Sequence, residues 1–143
     1  MSEIYYIMVL GDKIVEESGK ITGQRVLDVD PPKIESSFKM TGKYKGEEGS
    51  DIGTYWSVMR QDEGGIMYGE GQGIATTNDG KGITTWKGYG IGRFTSPGKI
   101  SFRGSLFFRA PSGKLSYFNN LVGVFEFEVD EEGNCSSKVW EWK

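Results

Sequence analysis

Polar and apolar residues alternate along most of this chain with a period of two, and a helical stripe of period 3.6 is hard to find. Such alternation marks strands with one buried face. Clusters of Gly, Pro, Asn and Asp divide it into candidate strands at roughly 4–10, 14–29 with a break near Gly19, 33–45, 52–61, 66–77, 82–94, 99–109, 121–130 and 135–142. About eight strands in one chain predicts an all-β protein, and the expected form is a single antiparallel β-barrel spanning 1–143. One segment, "SGKLSYFNN" at 112–120, could hold a helical turn, because Leu115 and Phe118 stand three apart. Pro31-Pro32 reads as a turn between strands, not as a domain boundary.

Glycine is concentrated in "GEGQGIATTNDGKGITTWKGYGIG", residues 69–92. Asp79-Gly80 carries the signature of a type I′ hairpin turn, pairing Asn78 with Lys81. Counting outward, Gly73 faces Trp86, Gly71 faces Gly88, Gly69 faces Gly90 and Met67 faces Gly92, so the glycines share one face. A less secure two-residue turn at Glu63-Gly64 would put Trp56 opposite Gly71 and Val58 opposite Gly69. On that register the indoles of Trp56 and Trp86 lie over a floor of bare backbone, large over small, as in the filling of a curved sheet. The opposite face carries Tyr55, Ser57, Met59, Tyr68, Glu70, Gln72, Lys87, Tyr89 and Arg93, which suits water, with Glu70 and Lys87 a diagonal pair. The glycine face is therefore assigned to the interior. By the same test Ile100, Phe102, Gly104, Leu106 and Phe108 face inward, as do Leu121, Gly123, Phe125, Phe127 and Val129, while Arg103, Arg109, Glu126 and Glu128 face outward. The parity of Trp140 and Trp142 stays open between core and exposed stripe.

Composition removes several classes of chemistry. Histidine is absent and cysteine occurs once, at Cys135, so His-based nucleophile systems, common zinc sites, disulfides and dithiol redox pairs are excluded. A reducing, cytoplasmic setting fits. Net charge is −3 with acids and bases interspersed, which suggests no nucleic-acid partner. "EIYYIMVLG" has an apolar run of seven, too short for a membrane span or signal core, and reads as a strand. No cofactor or metal is expected. Gly88-x-Gly90-x-Gly92 lacks the dinucleotide spacing and no helix follows it, so the glycines read as structural rather than as a phosphate cradle. "VDEEGN" at 129–134 reads as a hairpin turn, without the spaced carboxylates of a calcium loop.

Two uses remain for the glycine floor. Aromatics from facing strands fill the space, or the floor leaves a cavity for a small apolar ligand walled by Trp56, Trp86, Phe102 and Phe108. Arg60, on the same parity near a strand end, would then stand at the rim, as a solvated charge or as a clamp for a ligand carboxylate. Glu70 with Tyr68, Tyr89 and Lys87 is the one cluster of proton-capable groups on a common face, and would serve as acid or base only if that face were buried. No catalytic residue is assigned.

"YGEGQGIATTNDGKGITTWKGYGIGRF", "ISFRGSLFF", "GKLSYFNNLVGVFEFEVDEEGN" and "KVWEWK", spanning about 65–143, resemble a family of uncharacterised small bacterial and archaeal proteins. The glycine-aromatic pattern is more distantly similar to the allene-oxide-cyclase-like, or calycin-like, barrels. That second resemblance implies an eight-stranded barrel, frequent homo-oligomerisation and a lipid-like ligand, but no catalytic residue of the cyclase maps onto this chain. The expectation is a binding or scaffold barrel that associates with itself. A cyclase or isomerase working by carboxylate or tyrosine proton transfer, and a structural oligomer with a filled barrel, are the alternatives.

Overall fold

The computed structural model describes residues 10–60, 64–111 and 113–143. The alternating segments form eight strands: β1 (Leu10–Val29), β2 (Pro32–Tyr44), β3 (Glu47–Met59), β4 (Met67–Thr77), β5 (Ile83–Ser96), β6 (Lys99–Arg109), β7 (Val122–Val129) and β8 (Asn134–Trp142). Each pairs antiparallel with its neighbour in sequence, and β8 returns to β1 to close the barrel. No helix among the described residues is long and apolar enough to cross a membrane. The 4–10 strand lies outside the described residues except for Leu10, which opens β1; that strand runs unbroken past Gly19, with register shifts between Ile21 and Gly23 and between Val26 and Asp28.

The register of the glycine hairpin agrees with the sequence: Gly73 pairs with Trp86, Gly71 with Gly88, Gly69 with Gly90 and Met67 with Gly92. Its turn differs. Gly80 alone is left-handed, at φ +75°, whereas a type I′ turn needs Asp79 there too. Instead Gly80 N–H donates to the Thr77 carbonyl at 2.9 Å and Thr77 N–H to the Gly82 carbonyl at 2.9 Å, so Thr77 and Gly82, not Asn78 and Lys81, close the loop. The Asp79 carboxylate takes hydrogen bonds from Thr77 Oγ1 (2.7 Å) and Lys81 N–H (2.9 Å), which holds the wider loop in shape. A type I′ turn does occur at Lys45-Gly46, φ +48° and +87°, where β2 meets β3.

Between β3 and β4 the expected register is corrected by one residue. Tyr55, not Trp56, pairs with Gly71, and Val58 pairs with Tyr68. The reason is loop length: Arg60 N–H donates to the Ile66 carbonyl at 2.9 Å, leaving five residues in the loop in place of a two-residue turn. Glu63 lies outside the described residues; Gly64 and Gly65 both have positive φ. Because strand side chains alternate, this one step turns Tyr55 inward and sends Trp56, Val58 and Arg60 outward.

The inward faces of β6 and β7 follow the expected parity, with Phe102, Leu106, Phe108 and Phe127 buried and Arg103 exposed beside Glu126 (3.3 Å). Trp140 and Trp142 resolve outward, since Cys135, Ser137 and Val139 are the buried residues of β8. Ala110, Pro111 and residues 113–121 cork one end of the barrel. Leu115 and Phe118 are buried there around the 3-10 turn Ser116–Asn120, and Phe118 packs tilted against Phe108 with ring centroids 4.8 Å apart. The Asn119 side chain fixes the corking segment through hydrogen bonds to both backbone groups of Ala110.

Candidate functional site

The glycine floor exists for three aromatic rings. A Cβ on Gly73 would stand 2.5 Å from Trp86 Cε2, and one on Gly53 would stand 2.9 Å from Trp86 Cζ2, closer than real side-chain atoms approach. A Cβ on Gly92 would likewise stand 2.5 Å from Phe102, while Phe102 also packs tightly on Gly69 and Phe125 on Gly90. Further along the axis Phe38, Tyr55, Phe102 and Phe127 meet edge-on or tilted at centroid distances of 5.3–6.4 Å.

These rings do not fill the barrel. A cavity of about 70 Å³ remains among Phe38, Tyr55, Trp86, Leu106, Phe125 and Phe127. That is several times what a single water needs. Of the residues expected to wall a cavity, Trp86, Phe102 and Phe108 line it. Trp56 and Arg60 do not. Trp56 lies on the outer surface with Lys33 Nζ 4.1 Å above its ring and Tyr68 edge-on at 5.8 Å, and the Arg60 guanidinium sits 5.2 Å from the Tyr68 ring centroid. Glu70 also faces out, opposite Tyr89, and takes a hydrogen bond from the Tyr68 hydroxyl at 3.4 Å.

The polar end of the cavity is made by residues that the sequence reading passed over. Glu17 of β1, Tyr44 of β2 and Asp51 of β3 project inward and are only 6%, 1% and 2% exposed. Tyr44 donates its hydroxyl proton to Glu17 Oε2, the two carboxyls are hydrogen-bonded to each other, and the Trp86 indole N–H donates to Asp51 Oδ1 at 2.9 Å. Burial, and next the charge of Asp51, push the Glu17 carboxyl up to about 9. Burial also raises Asp51, but the donors facing it work in the opposite direction and favour its ionised form. Burial and the two neighbouring acids raise the Tyr44 hydroxyl well above its ordinary range. At neutral pH Glu17 therefore keeps its proton, beside an Asp51 carboxyl that burial also raises. Among the described residues no lysine or arginine lines the cavity.

A signal for this cluster was present. Asp51 alternates with Gly49, Gly53 and Tyr55, and Glu17 with Val15, Gly19 and Ile21, so each acid stands on a face otherwise stripped to glycine and apolar side chains. An acid on such a face has to be neutralised or hydrogen-bonded when the barrel closes. Cys135 also faces inward; burial, above all, pushes its thiol up to about 11, which leaves it unreactive at neutral pH.

No protein-family model and no curated protein matches the chain. Solved structures do. A protein of unknown function from Clostridium acetobutylicum ATCC 824 superposes with a TM-score of 0.78 at 14% identity, over 92% of this chain and 97% of that one. A β-barrel-like protein from Acinetobacter baumannii AYE gives 0.75 at 14% identity over 94% and 95%, and a conserved protein of unknown function from Rhodopseudomonas palustris gives 0.74 at 14% over 92% and 97%. At that identity the likeness establishes the fold alone: this chain is an eight-stranded barrel of a shape shared with uncharacterised conserved bacterial proteins.

Proposed function

We propose that this protein is a binding barrel whose interior takes a small, largely apolar molecule with one polar group. The observation that carries the reading is the cavity itself, walled by aromatic rings on glycine backbone and ended by the Glu17–Asp51 pair. Apolar walls with a few convergent polar groups are the common composition of small-molecule sites. The cavity volume favours a compact ligand over a long-chain lipid, which narrows the lipid-like expectation drawn from the allene-oxide-cyclase-like barrels. Trp86, Phe102 and Phe108 remain candidate contacts in this reading, joined by Glu17, Asp51 and Tyr55.

A second reading, a cyclase or isomerase, has one observation in its favour: a carboxylic acid kept protonated at neutral pH in a water-poor site can donate a proton to a substrate oxygen. Native mass spectrometry of protein purified without added ligand tests the binding reading. The expected result is a retained small molecule, or an adduct when compact apolar compounds are supplied. A chain mass that stays bare under both conditions would count for a filled structural barrel instead.

A further inference from the structure

We infer that the ligand of this cavity is a small organic cation, an amine whose ammonium group sits on the Glu17–Asp51 pair while its hydrocarbon body lies against Trp86 and the phenylalanines. The inference rests on the binding reading above and adds the charge of the ligand to it.

Three features point the same way. The first is the polar end itself, two buried carboxyls side by side. The Trp86 N–H, the Glu17 proton and the Tyr44 hydroxyl, which bonds Glu17 as well, face Asp51 and take at most three of the roughly four acceptor positions of a carboxylate, so Asp51 keeps acceptor capacity beside the void. The second is the lining. Buried carboxyls are normally paired with a base, and among the described residues no lysine or arginine lines the cavity. The third is the wall. Phe38, Tyr55, Trp86, Phe125 and Phe127 present π-systems to the same space, and Phe38 stacks on Trp86 at a centroid distance of 6.1 Å. Ring faces are electron-rich and attract a cation, most strongly where water is excluded.

The same features argue against an anionic guest. A carboxylate or phosphate would meet two acids at the polar end, and no lysine or arginine among the described residues lines the cavity to offset the repulsion. A neutral alcohol or ketone could accept the Glu17 proton, but it would bring no positive charge to the two acids.

Calorimetric titration of the full chain at neutral pH with 3-methylbutylamine, 3-methylbutan-1-ol and 3-methylbutanoate decides the matter, because the three share one skeleton and differ in charge. The amine is expected to bind at least about tenfold more tightly than the alcohol, and the carboxylate least. Asp51→Asn keeps an acceptor for Trp86 but removes the ionisable carboxyl, so it should erase the preference for the amine while leaving alcohol binding in place. Alcohol or carboxylate binding as tight as that of the amine in the unmodified chain overturns the cation assignment and leaves the binding reading standing. If none of the three binds, both fall. Should Asp51→Asn not fold, the ranking of the three compounds on the unmodified protein still gives the answer.

Discussion

The Trp86 indole N–H reaches the Asp51 carboxylate at 2.9 Å by lying across Gly73 of β4 and Gly53 of β3. Bare backbone under the ring is what makes that reach available, and it explains why glycines on successive strands share one face. The floor is less an empty space than a bed for an aromatic ring with a polar errand.

Gly73→Ala should therefore act through Trp86. Its new methyl would overlap Cε2, displace the indole and break the bond to Asp51, at an expected cost of about 1–3 kcal/mol in a urea melt. Trp86→Phe keeps an aromatic ring but leaves Asp51 without its indole donor, and should also cost about 1–3 kcal/mol. Unchanged midpoints in both variants would contradict this packing.

The buried acid pair makes a pH prediction. Glu17 is protonated in the folded chain up to about 9, whereas in the unfolded chain it ionises near 4.5. Between those values the folded state holds more protons than the unfolded state, so stability falls as pH rises through this window, at up to roughly 1.4 kcal/mol per pH unit for one proton. Asp79 and Asp130, whose carboxyls are held below their ordinary values by hydrogen bonds, are ionised in both states over this range and do not mask the trend. Urea midpoints from pH 5.5 to 9 should decline for the unmodified protein and flatten for Glu17→Gln; a level profile for the unmodified chain would remove the basis for a protonated Glu17.

Gly80→Val tests the β4–β5 loop. At φ +75° a β-branched residue is strained, and the expected loss is at least about 1 kcal/mol in a denaturant melt. Asp79→Ala removes the side-chain clasp on Thr77 and Lys81 without touching the left-handed position, so it should cost less than Gly80→Val.

Self-association is the expectation attached to the outer surface. Ile52 and Ile74, 60% and 52% exposed, are direct cross-strand partners on the outer face of β3 and β4. Apolar side chains grouped in this way are a common feature of interface centres. Sedimentation at micromolar concentration should show a species heavier than the 15.9 kDa chain, and Ile52→Lys should dissociate it. A single species at the chain mass throughout would discard the oligomer.

Much of the barrel was legible because a period of two is a strong signal, and charge settles which face of a strand meets water. Arg103 and Glu126 oriented β6 and β7 in this way, and Gly80 anchored the register of β4 on β5 even though its turn type was misjudged. Where a loop lacked a firm signature, the reading slipped. Five residues between Arg60 and Ile66 instead of two in the turn changed the parity of β3, and with it went Trp56 and Arg60. The acid pair was missed for a different reason. Glu17 and Asp51 are 34 positions apart and belong to strands separated by β2, so only the assembled sheet reveals that the two carboxyls meet.

The order of strands also bears on how the chain folds. Seven of the eight ladders join strands that are adjacent in sequence, whereas the pairing of β1 with β8 brings Val15 to Val139 and Gly19 to Cys135 across nearly the full length of the chain. Loop closure for that last ladder carries an entropic cost of order 4 kcal/mol, which the hairpins avoid by being local. The seam is thus the slow step available to this topology, and the ion pairs of Glu16 with Lys13 and Lys138 lie along it. A sheet of eight strands can assemble by successive hairpins as an open, curled ribbon; it becomes a vessel with an inside only when β8 finds β1.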